Sequence, residues 1–280
     1  MVITASPSLQ TDVTTFVLAI VGMVVVGGLF GSFLNVVIWR VPNHISLVDP
    51  KRSFCPRCGA PIAWYDNIPL VSYAVLHARC RHCHEPISIR YPLVEALGGV
   101  MAGAVTAGAL LGMYPGWMLP DLYLLAAVSI VIAFIDLDHH LILNVIVYPT
   151  AVVSLLLLVL ASWGTGEWTA LGRAVLAGVI LGAFYLLLAF IWPGGMGLGD
   201  VKLAAVLGLT LGWLGWPQLV VGAFAAFLIG GVVGVALIAA RKVELRGGIP
   251  FGPSMVVGAW VGIAAGAPLA AWYLHLAGIG

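Results

Sequence analysis

Apolar residues fall into eight runs, near positions 16–38, 93–113, 119–135, 141–161, 171–192, 201–215, 217–240 and 253–276. Short polar turns separate them, except that residues 40–92 form one long polar insert between the first two. All but one run reach the ~17–25 residues with which a helix crosses a bilayer. The pattern predicts an all-α polytopic membrane protein of about eight transmembrane helices. The sixth run is short and ends among Gly212 and Gly215, so a tilted or broken helix, and hence a seven-span count, is the alternative. The expected division is 1–39 as N-terminal segment and first helix, 40–92 as insert, and 93–280 as a multi-helix membrane domain.

Composition agrees with this reading. The 280 residues are 62% hydrophobic and 8% charged, with a mean hydropathy of +1.10. That excludes an ordinary soluble enzyme. Many of the 35 glycines lie inside apolar runs as small-xxx-small pairs, including Gly27/Gly31, Gly178/Gly182 and Gly208/Gly212, a spacing that lets helix backbones approach closely. A formal charge of +1 gives no reason to expect a nucleic-acid partner. The N-terminus lacks the basic residues that open a secretory signal, so the first run reads as a retained helix.

All four cysteines sit in the insert, as Cys55-Pro56-Arg57-Cys58 and Cys80-Arg81-His82-Cys83. Two CxxC pairs across a 21-residue spacer have the arithmetic of a zinc ribbon. Four thiolates close a tetrahedral site, so the zinc is expected to be structural, with His82 and His84 as bystanders. Thiol ligands imply a reducing compartment and hence a cytoplasmic insert. The basic residues agree. Alternation from a cytoplasmic insert puts eleven of the twelve Lys and Arg on the inner side and leaves only Arg173 outside. Both termini then face outward. Trp117, Trp163, Trp168, Trp213, Trp216 and Trp272 cluster near the outer helix ends, at headgroup depth. Lys51, Arg52 and Arg79 to Arg81 read as a solvated charge cluster facing lipid headgroups.

Against this apolar background two carboxylates stand out. Asp200 ends the run Gly194-Gly195-Met196-Gly197-Leu198-Gly199-Asp200, and Asp136 closes the apolar stretch ending Phe134-Ile135. An ionisable group at the margin of a membrane span is costly to desolvate and by default marks a functional site. Glycines before Asp200 let the backbone leave helical geometry where it is covered by protein or lines a wet cavity. Asp138, His139 and His140 read as residues of a polar turn, and the deeper Asp136 is the better catalyst candidate. Neither a Ser-His-acid order nor HExxH nor GxGxxG after a strand is present.

Together these features resemble the bifunctional prepilin peptidases, GxGD-type aspartic membrane proteases that process type IV pilins and type II secretion pseudopilins. Gly31-Ser32-Phe33-Leu34-Asn35 with Arg40 and Pro42 is similar to the family's first-helix signature. Both CxxC pairs, Trp64-Tyr65-Asp66-Asn67-Ile68-Pro69, Ser72-Tyr73 and Arg90-Tyr91-Pro92 resemble its cytoplasmic domain. Asp136-Leu137-Asp138, Gly197-Leu198-Gly199-Asp200 and Pro250-Phe251-Gly252-Pro253 resemble its protease motifs. One departure is Ile142-Leu143-Asn144, where the family usually has proline after the isoleucine, so the following helix start is expected to be less sharply fixed.

The resemblance implies cleavage of a prepilin or pseudopilin leader after a glycine at the cytoplasmic face of the bacterial inner membrane. N-methylation of the new terminus with S-adenosylmethionine follows, in the neighbourhood of the insert and the end of the first helix. It also implies Asp136 and Asp200 as the catalytic pair. A competing reading is a proton- or cation-coupled transporter with a regulatory zinc ribbon, but no internal repeat supports it. A purely structural zinc-ribbon scaffold would leave the paired acids unexplained.

Overall fold

The computed structural model describes residues 13–49, 53–191, 196–240 and 250–278. Lys51 and Arg52 of the charge cluster, Gly194 and Gly195 of the glycine run, and Arg241, Lys242 and Arg246 of the inner-side basic set lie outside the described residues. Among the described residues there are eight long helices at the eight apolar runs and no extended strand. They are α1 (Val13–Arg40), α3 (Arg90–Leu110), α4 (Leu119–His139), α5 (Asn144–Thr165), α6 (Trp168–Ile191), α7 (Leu198–Leu214), α8 (Trp216–Ala239) and α9 (Gly252–Leu276). A short helix, α2 (Val71–Val75), and a 3-10 turn at Trp64–Asn67 lie in the insert. Seven of the long helices have the length and apolar character to cross a membrane. The exception, α7, has 17 residues and is the short sixth run of the sequence.

The chain divides into two compact units. The first comprises residues 1–35 and 52–113, the second residues 36–51 and 114–280. In the first unit α1 and α3 pack through small residues. A side chain at Gly31 would come within 2.7 Å of the Glu95 Cα, and one at Gly27 would collide with the carbonyl of Gly98.

The second unit is built from two intimate helix pairs, α6 with α7 and α8 with α9, with α4 and α5 packed against them. The predicted glycine pairs make the first of these pairings. A Cβ at Gly208 would lie 2.8 Å from both the Ala177 carbonyl oxygen and the Gly178 Cα, so the α6 and α7 backbones are in near contact. Arg173 explains why a lone cation stands apart from the basic inner segments. Its guanidinium donates to the carbonyls of Gly212 (2.7 Å) and Trp213 (2.6 Å), satisfying the open C-terminal end of α7.

Five of the six tryptophans assigned to the outer ends are exposed. Trp213 is not at a headgroup surface. It is buried, and its indole N–H donates to Ser162 Oγ at 2.8 Å, tying α7 to α5. The position in sequence was compatible with an interfacial ring, but an indole pays less when its one donor finds a buried hydroxyl.

Backbone contact at Gly208 makes this position intolerant of any side chain. Gly208→Ala is expected to destabilise the protein by about 1–3 kcal/mol. Gly231→Ala, in α8 with nothing within 4 Å of the added methyl, should leave stability unchanged or raise it by up to ~1 kcal/mol. Thermal unfolding of both variants in detergent tests this, and equal melting would contradict the packing described.

Candidate active site and metal centre

Asp136 lies one turn from the end of α4. His140 follows in a left-handed conformation (φ 53°), and its N–H bonds back to the Asp136 carbonyl at 2.9 Å, which stops the helix. The Asp136 side chain is 4% exposed. It accepts a 2.9 Å hydrogen bond from the backbone N–H of Gly252, the first residue of α9. A side chain on Gly252 would sit 2.7 Å from the same carboxylate oxygen, so only glycine lets the α9 backbone come this close. Asp138, by contrast, is exposed.

Asp200 occupies the first turn of α7. Its carboxylate reaches back to accept from the Gly197 N–H at 2.9 Å, the acidic half of a capping box, and so sits at the positive end of that helix. Gly199 packs directly on Ile142, whose Cβ would be 2.8 Å from any added methyl. The carboxylates of Asp200 and Asp136 are close enough to feel each other's charge. Two acids remote in sequence are thus brought together by helix ends, each held by one backbone donor.

Three supports of this site carried no recognisable sequence signal. Lys202 Nζ donates to Asn144 Oδ1 at 2.8 Å and stands over the Tyr148 ring. This fastens α7 to the start of α5 at the place where the sequence lacks the family's proline. Tyr185, Phe227 and Phe251 form a ring cluster from α6, α8 and the residue before α9, with centroids 5.3–6.3 Å apart. Tyr185 also feels the Asp200 charge. Finally, Asp121 in the first turn of α4 is almost wholly buried and accepts from Ser154 Oγ (2.6 Å) and Thr210 Oγ1 (2.8 Å). It joins α4, α5 and α7, and so links the two helices that carry Asp136 and Asp200.

In the insert the four cysteine sulfurs all lie within 4.8 Å of one another, with Cys55 Sγ and Cys83 Sγ 3.9 Å apart. A tetrahedron of sulfurs ~2.3 Å from zinc has edges of about 3.8 Å, so the donor set fits that metal. The two CxxC segments are copies of one hairpin. Cys55 N–H bonds to the Ala60 carbonyl and Cys80 N–H to the Glu85 carbonyl, both at 2.9 Å, while Gly59 and His84 N–H groups return to the Cys55 and Cys80 carbonyls. Gly59 (φ 71°) and His84 (φ 58°) supply the same left-handed turn. His84 is therefore the counterpart of a glycine. The backbone N–H groups of Cys83 and His82, aimed at the Cys80 sulfur, bring its thiol down to about 7.

Arg81 leaves the expected solvated cluster. It grips Asp66 with two nitrogens (2.5 and 2.7 Å) and lies over the Tyr65 ring. This guanidinium holds the Asp66 carboxyl below its usual range. The tie is therefore present above the ordinary carboxylate pKa and is lost as pH falls through the lowered value.

A polytopic membrane protein with two aspartates held at helix ends within reach of each other's charge, and a four-cysteine insert, defines the class. Residues 25–108 match the bacterial peptidase A24 N-terminal domain, and residues 123–235 match the type IV leader peptidase family. Proteins named prepilin leader peptidase/N-methyltransferase are similar over most of the chain. The one from Aeromonas hydrophila is 34% identical over 276 residues, covering 88% of this chain and 90% of its own. That of Pseudomonas aeruginosa is 33% identical over 282 residues, covering 91% and 93%. That of Myxococcus xanthus is 38% identical over 222 residues, covering 77% and 62%. No solved structure matches the chain. The chain belongs to the type IV leader peptidase family, and the transporter reading is not supported.

The hairpin symmetry predicts which insert residues matter to the metal. Protein purified without chelator should carry about one zinc per chain, and His82→Ala and His84→Gly should retain it while Cys58→Ser loses it. Elemental analysis showing loss of zinc in His84→Gly would make that imidazole a ligand and overturn the assignment.

Proposed function

We propose that the protein is a membrane aspartic endopeptidase that removes the leader peptide of type IV prepilins or type II secretion pseudopilins. It then methylates the newly exposed N-terminus, with S-adenosylmethionine as co-substrate. The observation that carries the peptidase reading is the pairing of Asp136 and Asp200, each immobilised by one backbone N–H and each within reach of the other's charge. Its family membership and its relatives' names support the same reaction.

Two carboxylates that feel each other's charge resist joint ionisation and share a proton. The ionised member takes a proton from water as it attacks the scissile carbonyl, and the protonated member donates to the carbonyl oxygen. The Gly252 and Gly197 N–H groups hold each carboxylate in place through this exchange. Each fixes the Oδ2 of its acid. No metal is required for the hydrolysis.

The basic-residue asymmetry supports placing the insert and both aspartates on the cytoplasmic side of the bacterial inner membrane. A substrate whose apolar helix lies in the bilayer would then present its polar leader to the dyad. Cys55, Cys58, Cys80 and Cys83 form a closed four-sulfur set with no open position, so zinc bound there stabilises the insert rather than activating water. Residues 40–92 act as that zinc module, and methyl transfer is assigned to it and the adjoining end of α1.

Asp136→Asn and Asp200→Asn should each lower the cleavage rate by a factor of about 100–10,000 without loss of membrane insertion. Asp138→Asn should retain substantial activity. A normal rate for Asp136→Asn with a dead Asp138→Asn, measured on purified protein, would refute the choice of first carboxylate.

The two activities should also separate. Cys58→Ser combined with Cys80→Ser is expected to reduce methylation more than cleavage, so that mature, unmethylated product accumulates. Mass spectrometry of the product distinguishes the cases. Equal loss of both activities in a variant that still inserts would mean that the insert also positions the scissile bond.

A further inference from the structure

The insert's segment from Trp64 to Val75 is apolar and outward-facing, unlike the polar hairpins that flank it. Trp64 is 81% exposed, Val75 64% and Val71 54%, with Tyr65, Ile68 and Leu70 also open. An exposed apolar surface of this kind ordinarily marks an interaction site.

Its position along the neighbouring helices identifies the occupant. The Leu70 N–H donates to Glu95 Oε2 at 2.8 Å, and Glu95 lies beyond the first turn of α3. A methyl on Gly28 would touch both the Glu95 carbonyl and the Pro69 Cβ, at 3.8 and 3.9 Å. Gly28 sits inside the apolar run of α1, and Glu95 lies two residues into that of α3, which starts at residue 93. The Pro69–Leu70 turn is therefore held alongside the transmembrane portion of α1, not beyond its end.

Much of the segment's backbone is satisfied from within the segment. The Ile68 N–H donates to Ser72 Oγ (3.0 Å), and the Ser72 hydroxyl donates to the Tyr65 carbonyl (2.9 Å). The N–H groups of Val71, Ser72, Ala74, Leu76, His77 and Ala78 return to carbonyls within the segment. Pro69 has no N–H to satisfy, and that of Leu70 goes to Glu95. Backbone in hydrocarbon must satisfy its own polar groups, whereas a solvent loop can leave them to water. Leu70 accepts a strained conformation (φ 61°) to make this turn.

We propose that Trp64–Val75 is an interfacial membrane segment that dips into the lipid layer beside α1 and α3, on the side where α1 ends and α3 begins. The occupant of its apolar face is the headgroup and upper acyl region of the bilayer. The Arg81–Asp66 pair marks the polar edge, with the cysteine hairpins beyond it. Trp and Tyr suit that depth, because each has an apolar ring and a polar handle. The inference stands apart from the catalytic reading and from which face of the membrane is cytoplasmic.

The test uses the full chain in phosphatidylcholine/phosphatidylglycerol vesicles, with and without lipids brominated near the carbonyl end of the acyl chain. Subtracting Trp64→Phe fluorescence from that of the unaltered protein isolates the Trp64 signal. Most of that signal should be lost to bromolipid and little of it to aqueous iodide. Quenching by iodide alone would place the segment in water, and protection from both quenchers would place it under protein; either overturns the proposal. A second probe avoids dependence on Trp64: photolysis of protein with p-benzoylphenylalanine in place of Val71 should yield lipid adducts. Adducts within the chain or to another protein would instead show a protein-covered face.

Discussion

Two like charges near each other in a medium of low polarity repel, and each is costly to strip of water. Among the described residues neither Asp136 nor Asp200 forms a salt bridge with a lysine or arginine. Instead each receives one backbone N–H from a helix start, Gly252 at α9 and Gly197 at α7. Backbone donors fix position without cancelling charge, which keeps the pair able to share and pass a proton. The carboxylates must therefore be held by the scaffold, and the architecture of the second unit follows from that demand.

Glycine supplies the close approaches. At Gly252 the α9 backbone reaches a carboxylate, and at Gly199 the α7 start lies on Ile142. Away from the site, Gly208 lets α6 and α7 touch, while Asp121 with Ser154 and Thr210 joins α4, α5 and α7 through a buried polar cluster. Arg173 and the Lys202–Asn144 bond complete the hold on the two ends of α7. The helix carrying Asp200 is the shortest of the long helices and also the one most tied down. A shorter span has less lipid-facing surface to fix its depth and depends more on its neighbours.

Much of this was legible in the sequence because bilayer thickness imposes a length on apolar runs and thiol spacing imposes a geometry on metal sites. The eight runs became the eight long helices, and the four cysteines converge. The depth of Asp136 relative to Asp138 could be read from the preceding Ala133-Phe134-Ile135. What stayed hidden was set by partners distant in the chain. Asp121 needed Ser154 and Thr210 to become a buried junction, and Trp213 needed Ser162 to be buried inside the bundle. The Gly252 N–H has no sequence signature as a carboxylate donor. Likewise residues 40–92 read as one polar insert, and neither the exposed apolar surface of Trp64–Val75 nor its level beside Gly28 and Glu95 could be seen in it.

On the proposed reading, one chain first hydrolyses a leader and then methylates what it has exposed. Incubating the purified, membrane-reconstituted protein with a prepilin and reading the product's N-terminus by mass spectrometry tests it most directly. Without S-adenosylmethionine the product should be leader-free with an unmodified terminus, and with it the same product should bear one added methyl. Uncleaved substrate under both conditions, or methyl addition to substrate that still carries its leader, would contradict it.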